Sequence, residues 1–560
     1  MPTPNSHARV DISQEHGWTK QKVRGVTTWL KGQPRVEGRW LRSNEAAAHL
    51  AGVLADLSPE VVGEQLKRID GHFAFVCKWE SGRVLATVDR MRTIPIAYGR
   101  GSEGWILDDQ ALRLQRTLGD EEPDPEASLA VAMAGYTLGR DTLYKQIKQL
   151  QSGELAIFEA GRDPVLHRYY IYRAWEVAEG LTRDNWVDQL EAVTRSLFLK
   201  LAEGLDGRRV LLPLSGGLDS RLVASGLKQV GYDNVQCYAY GQPGNFEAAA
   251  SREIAARLKY PWIFVPYTRS AVRACAVTAD QKRYLDYADT LCAVPFLQDF
   301  LAVRELRNAG LIPDEAIFIN GNTGDFISGG HIQPKMQAQR EDLNSERLQA
   351  LVLEELISKH FTLWQDLMTN ANRETIERNL SAQIRSINSG EPGPENIHGV
   401  YESIECESRQ AKYVIGGQRV YEYFGYGWRL PMWDSLYLDF WGRVPLKYKV
   451  NQNLYCDFLK RADWGGVWKN YNLKRWVSPR WIRPVRALSK LACAPLGRDS
   501  WRVVERRLFS YFTDILWTHA TVPVPYLRFA FSNRGYRHSM AFRCEAYLLG
   551  KGRDVDGSAH

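Results

Sequence analysis

The stretch Val210-Leu211-Leu212-Pro213-Leu214 runs directly into Ser215-Gly216-Gly217-Leu218-Asp219-Ser220. A short apolar run closed by turn residues reads as a buried strand, and the helical spacing at residues 221–230 reads as a helix. The turn between them sits at the carboxyl end of a strand, where open α/β sheets bind ligands. Two glycines let the backbone approach a ligand closely. The helix N-terminus adds partial positive charge, so the loop favours an oxyanion such as pyrophosphate. Ser215 and Ser220 can donate hydroxyl hydrogen bonds to phosphate oxygens. An acid among phosphates is awkward unless it holds a cation, so Asp219 reads as a magnesium ligand. The lysine of the G-x-x-x-x-G-K-[ST] loop is missing, which separates this turn from that class of phosphate-transferring ATPase.

Beyond the loop, strand and helix patterns alternate: a run at 235–240, a helix over Phe246–Leu258, a run over Trp262–Pro266 and, after a helical interval, a run at 316–320. Alternation of this kind predicts a parallel sheet covered on both faces. Residues 335–388 are charged with helical spacing, and 389–396 are a loop by composition. Upstream, to about Tyr172, short alternating runs such as 73–77 and 84–88 predict a mostly β domain, with 119–126 as an exposed loop. Polar residues 178–185 precede an amphipathic helix pattern at 186–201, which divides the chain into units 1–180 and 181–560. No internal repeat of 20 to 50 residues is present.

A chain of 560 residues, 44% hydrophobic and 24% charged, has the composition of a two- or three-domain globular protein. No apolar run reaches the ~18 residues of a membrane span, and the start MPTPNSHARV has no apolar signal core. The expected location is the cytoplasm. The eight cysteines are scattered without a C-x-x-C pair, as expected of reduced, buried thiols. Charge is uneven: residues 441–560 hold 22 Lys and Arg against 8 Asp and Glu, a surplus of 14 that leaves the rest at −7. This basic end is interleaved with Trp441, Trp464, Trp468, Trp476, Trp481, Trp501 and Trp517, which suits an acidic polymer, an anionic membrane surface or a nucleotide. The other reading is Arg and Lys stems lying over a partly exposed apolar surface.

The loop resembles the SGGxDS pyrophosphate loop of the asparagine synthetase-like amidotransferases. The resemblance extends to Tyr238-Ala239-Tyr240-Gly241-Gln242-Pro243-Gly244, similar to the adenine-binding strand end, where backbone at Tyr240 and Gly241 would read the base. It extends also to residues 320–330, NGNTGDFISGG, similar to the second family motif; Asn320 and Gly321 would then line the nucleotide site and Asp325 would be the second magnesium carboxylate. Residues 428–434, WRLPMWD, resemble the R-x-P-x-x-D element. In the first unit, DGHFAF at 70–75, Asp89-Arg90 and Ile94-Pro95-Ile96 resemble the glutaminase core. The catalytic cysteine that follows the initiator methionine in such glutaminases has no counterpart: Pro2 stands there, and the first cysteine is Cys77. The implied fold is an Ntn-hydrolase-like β-rich sandwich, a glutaminase relic, followed by a doubly wound adenine nucleotide α-hydrolase-like (PP-loop) synthetase domain.

The resemblance implies in-line attack of a carboxylate on the α-phosphorus of ATP, giving an acyl-adenylate, then capture by ammonia or an amine and loss of AMP. Leu214, Ser215, Gly216, Gly217, Leu218, Asp219 and Ser220 would hold the pyrophosphate, with Asp219 and Asp325 placing Mg²⁺. A family lysine that grips the reacting phosphate has Lys449 and Lys469 as candidates, with Lys474 behind them. Where asparagine synthetases carry a glutamate base, Asn322 stands, and an amide cannot take a proton; Glu405, Glu407 and Tyr413 are the alternatives. The acceptor stays open between a uronic acid of a surface polysaccharide, aspartate, and a substrate carrying its own amine for ring closure. A nucleotide-binding assembly subunit without turnover is the reading from another class. The expected partners are a small or glycan-linked carboxylate, ammonia from solution or a separate glutaminase, and a membrane surface at the basic end. No nucleic acid is expected.

Overall fold

The computed structural model describes residues 8–552 apart from 24, 55–57, 338–343, 392 and 470–476. Eleven strands build the N-terminal part: β1 (Arg9–Asp11), β2 (Thr19–Val23), β3 (Val26–Val36), β4 (Arg39–Trp40), β5 (Ile69–Lys78), β6 (Val84–Val88), β7 (Ala97–Gly101), β8 (Gly104–Asp108), β9 (Ile147–Gln149), β10 (Glu154–Phe158) and β11 (Val165–Arg168). They form a seven-stranded antiparallel sheet, β11-β10-β6-β5-β3-β2 with β4 on β3, and a four-stranded sheet, β1-β8-β7-β9.

Alternation along β5 shows how the layers stack. Phe73, Phe75 and Cys77 pack toward the helices Ser43–Val53 and Pro59–Leu66, whereas Ala74 and Val76 share a core with Tyr98 and Leu107 of the other sheet. Tyr98 meets Phe158 edge-on across the two sheets, 5.5 Å between ring centres. Ala97 and Ile106 face outward onto Leu112 and Leu114 of the helix Ala111–Leu118. The result is helix, sheet, sheet, helix, a β-rich sandwich. The stretch 119–126 is not wholly loop: Asp124 caps the helix Pro125–Ala134, so Glu126 lies in its first turn.

The helix predicted at 186–201 is longer, Arg183–Leu205, because Thr182 and Asn185 form a reciprocal capping box at its start. Beyond it five strands, β12 (Val210–Pro213), β13 (Val235–Gly241), β14 (Trp262–Pro266), β15 (Ile317–Ile319) and β16 (Gly427–Arg429), form a wholly parallel sheet in the order β14-β13-β12-β15-β16. Right-handed crossovers place the helices Leu218–Gln229 and Phe246–Leu258 on one face, and the reversal of order after β12 sends the chain to the other. There Phe318 of β15 stacks on Tyr421 at 4.2 Å. The switch point lies between β12 and β15, so the loops after these two strands must be neighbours.

The two parts share one continuous core and a set of buried ion pairs. Lys200 of the long helix joins Asp70 of β5 (2.9 Å) to Asp434 (2.7 Å). Asp434, the acid of the R-x-P-x-x-D element, also caps the helix Ser435–Gly442. Its role in the fold is thus to anchor the interface. Glu422 gathers Lys31, Arg419, Tyr287 and Trp428, each at 2.8 Å. Removing one member of a buried charged set strands the others, so Lys200→Ala is expected to cost about 3 kcal/mol of stability, measured by denaturant unfolding.

Candidate active site

The helix after β12 begins at Leu218, three residues before the pattern-based start at Arg221, with Gly217 as its N-cap. Asp219 therefore lies in the first helical turn. The loop is shaped from within: Ser215 N–H donates to Ser220 Oγ (3.0 Å), Gly217 N–H donates to Ser215 Oγ (3.1 Å), and the two hydroxyls lie 3.0 Å apart. Arg221 donates to Gly216 O (2.8 Å) and lies over the ring of Trp468 (4.9 Å). Leu214 N–H donates to Tyr238 O (2.9 Å), which carries the β12–β13 pairing one residue past the strand.

The loop after β15 closes on this turn. A Cβ at Gly321 would lie 2.6 Å from the carbonyl carbon of Asp219 and the nitrogen of Ser220; one at Gly324 would lie 2.5 Å from the carboxylate of Asp219. Only glycine fits at either position. Asp325 N–H donates to Asp219 Oδ2 (2.9 Å) and Tyr455 OH to Oδ1 (3.2 Å). The two predicted carboxylates thus meet. Burial, and then the charge of Asp325, push the Asp219 carboxyl up to about 8. A carboxylate raised by a like charge is a place where a cation is welcome. Both donors are carboxylates, a ligand type that Mg²⁺ takes one or two at a time, leaving the rest of its shell to water and phosphate.

Asn320 and Tyr240, at the ends of β15 and β13, are joined beneath the loops. Tyr240 and Tyr421 hydroxyls both donate to Asp299, and Asn320 Nδ2 donates to Tyr421 OH (3.1 Å). The Asn320 side chain is therefore part of the scaffold. Gly241 has φ +126°, a conformation open to glycine, and the next residue, Gln242, donates its N–H to Ile515 O (2.7 Å). Segment 512–516 in this way covers the end of β13, a closure with no local sequence signal.

The lysines separate clearly. Lys449 pairs with Glu402 at 2.8 Å, both fully buried, so it cannot grip a phosphate without breaking that pair. Lys469 is exposed, just after Val467 and Trp468, both of which Arg221 touches. Lys474 lies outside the described residues. Among the base candidates, Glu407 pairs with Arg168 of β11, and Tyr413 lines a cavity and donates to Met540 Sδ (3.7 Å). Glu405 is fully buried and reaches the site through His331, a residue the sequence reading passed over although it directly follows the second motif.

His331 lies between two acids, with Nε2 3.1 Å from Asp325 Oδ2 and Nδ1 against Glu405 Oε1. A neutral imidazole has one N–H, so satisfying both carboxylates needs the doubly protonated ring. Burial opposes that charge, but Glu405 and Asp325 outweigh it and hold the imidazole up at about 9. Beside it opens a cavity of about 780 Å³ lined by Lys359, Arg409, Arg537 and Arg543, with Phe246 and Tyr267 at the carboxyl end of the sheet. Among the described residues, Asp514 is the one acid in its lining. Arg537 donates to Ser358 O and Lys359 O and to the Thr362 hydroxyl, and Arg543 to Pro295 O, all neutral acceptors. A larger cavity, about 950 Å³, lies between the two parts beside Arg208 and Ala316, at the amino ends of β12 and β15, away from the loops.

With this geometry, residues 205–463 match the family model described as asparagine synthase. Residues 205–463 belong to the asparagine synthase family. The match takes in all five parallel strands, both loops and Lys449, and identifies a domain of the ATP-dependent amidotransferase and ligase kind. No curated protein matches the chain. Among solved structures, glutamine phosphoribosylpyrophosphate amidotransferase from B. subtilis complexed with ADP and GMP is similar over 44% of this chain and 72% of that chain, at 10% identity and a TM-score of 0.19, a likeness too slight to bear on fold or chemistry.

Two outcomes are expected. Gly324→Ala should weaken ATP binding by about a hundredfold, read by calorimetry, because the added methyl displaces Asp219. Glu405→Gln removes the larger of the two charges holding the His331 proton, so its imidazole should titrate well below 9 when followed by ¹³C-histidine NMR.

Proposed function

We propose that the chain is an ATP-dependent, AMP-forming amide ligase that adenylates a carboxylate and transfers ammonia or an amine to it. The observation that carries this reading is the meeting of the two loops at the sheet's switch point, with Asp219 and Asp325 brought together beside a cationic cavity. The Ser215–Ser220 turn would receive the leaving pyrophosphate on the N-terminus of the helix Leu218–Gln229. Asp219 and Asp325 would hold Mg²⁺, which supplies charge neutralisation at the phosphates. Lys469, exposed and next to Trp468, would be the lysine that assists from solvent.

The cavity supports an anionic acceptor. Lys359, Arg409, Arg537, Arg543 and protonated His331 face one lining acid, and the Asp514 carboxylate already accepts from the N–H groups of Leu516 and Thr518. Arg537 and Arg543 meet only neutral oxygens in the free protein, which leaves them prepared for carboxylate or phosphate oxygens on the substrate. An acidic sugar such as a uronic acid, carried on a phosphate-bearing leaving group, has both kinds of anion. Aspartate, the alternative, is small for about 780 Å³.

The N-terminal sandwich carries one cysteine, Cys77, fully buried in β5 with its thiol pushed far up by burial. A thiol so placed does not open glutamine. We read this part as a glutaminase relic, the nitrogen coming from free ammonium or from a separate glutaminase.

The test is incubation with ATP, Mg²⁺, ammonium and a panel of aspartate, free uronic acids and nucleotide-linked uronic acids, with AMP and pyrophosphate read by mass spectrometry. Carboxylate-dependent AMP is expected, absent in Asp219→Ala. Arg409→Ala and Arg537→Ala should raise KM for the acid about tenfold or more each, with KM for ATP unchanged. ADP in place of AMP would refute the chemistry. ATP bound without turnover on any acid would favour the assembly-subunit reading.

A further inference from the structure

The basic, Trp-rich end divides in two on folding. Trp441, Trp464, Trp468 and Trp501 are buried, so those indoles are core and not a contact surface. Trp517 is half-buried, Trp476 lies outside the described residues, and Trp481 is exposed. It opens a helical hairpin made of the helix Ile482–Cys493, a turn at Ala494–Leu496 and the helix Gly497–Val504. The hairpin has a small core of its own from Ile482, Trp501 and Phe509.

Its outer face is apolar. Trp481, Val485, Leu488 and Leu491 recur at intervals of four, three and three residues and so share one side of the helix. They are 59, 51, 68 and 71% exposed, and Leu496 at the tip is 71% exposed. No other stretch of the described chain concentrates so many exposed large apolar side chains. Around this face positive charge predominates; the acids nearest it are Asp499, paired with Arg502, and Glu505, paired with Arg486. Residues 464–498 hold eight Lys and Arg and no Asp or Glu. Arg480, Lys490 and Arg498 are exposed and have no carboxylate partner among the described residues, whereas Arg486 is taken by Glu505.

We propose that this hairpin docks the protein on an anionic phospholipid surface, the apolar face entering the headgroup boundary and the unpaired cations meeting lipid phosphates. An apolar helical stripe led by an indole and bordered mainly by cations is the composition of an interfacial helix. Nucleic acid would meet the cations but leave the leucines in water. A partner protein would meet the leucines but has nothing on this face to favour it over lipid. The inference does not rest on the ligase reading.

The test is flotation of the full-length protein with vesicles of phosphatidylcholine alone and of phosphatidylcholine mixed with phosphatidylglycerol. The protein is expected to float with the mixed vesicles and not with the neutral ones. Leu488→Asp with Leu491→Asp should abolish flotation. Arg480→Gln, Lys490→Gln and Arg498→Gln together should lower partitioning roughly a hundredfold, three cations near an anionic surface each contributing close to fivefold. All the substituted side chains are exposed, so circular dichroism and the melting midpoint should not change. Failure of the native protein to float with anionic vesicles, or flotation unaffected by the two leucine changes, would overturn the proposal. So would a dimer seen by light scattering that the leucine variant dissociates while vesicles are ignored, which would assign the face to a second copy of the chain.

Discussion

The close approach of two backbone loops governs this molecule. Asp219, in the first turn of the helix after β12, is pressed between Gly321 and Gly324 of the loop after β15, with no room for a methyl group at either glycine. The contact exists because β12 and β15 are neighbours at the point where strand order reverses, which leaves a crevice at the carboxyl ends of both strands. The Asp325 N–H bond to Asp219 fixes the register of the two loops and brings the acids together. Much of the surrounding construction serves to hold that meeting: the two serine hydroxyls that shape the turn, the Arg221 tie to residues 467–468, and the Asp299 link from Tyr240 through Tyr421 to Asn320.

Two buried glutamates organise the rest. Glu405 holds His331 against Asp325 and also meets His360 (3.2 Å) and Gln410 (3.2 Å), so its negative charge is consumed inside the protein. The cations beside it, Lys359 and Arg409, stand 3.9 Å off and keep much of their field for the cavity. Burial lowers Lys359 to about 8, which still leaves it mostly charged at neutral pH. Glu422 does comparable work between the two parts, taking donors from β3, from the helix before Phe424 and from β16. A sandwich joined to the parallel sheet by buried ion pairs and a continuous core forms one unit with it.

The sequence, taken alone, determined the elements with strong local pattern. The helix Phe246–Leu258 and the strand Trp262–Pro266 have the bounds the periodicity predicts, and a turn at 214–217 separates strand from helix, the helix starting at Leu218 and not at Arg221. These features follow from nearest-neighbour chemistry: an apolar period, a capping asparagine, glycines where the backbone must come close. The motif at 320–330 was legible through its resemblance to the second family motif, with an apolar run ending in a glycine-containing turn as its local signal.

Tertiary structure alone decided which distant side chains share a space. Lys449 and Lys469 look alike in sequence, yet one is sealed against Glu402 and the other faces water. His331 and Glu405 are 74 residues apart and are joined by one hydrogen bond. Arg537, Arg543 and segment 512–516 return from the far end of the chain to wall the cavity and cover β13, and most of the tryptophans that made that end look like a contact surface turned inward. Periodicity says which way a side chain faces on its own element; what it meets there depends on how the elements pack, and the cationic cavity is a product of that packing.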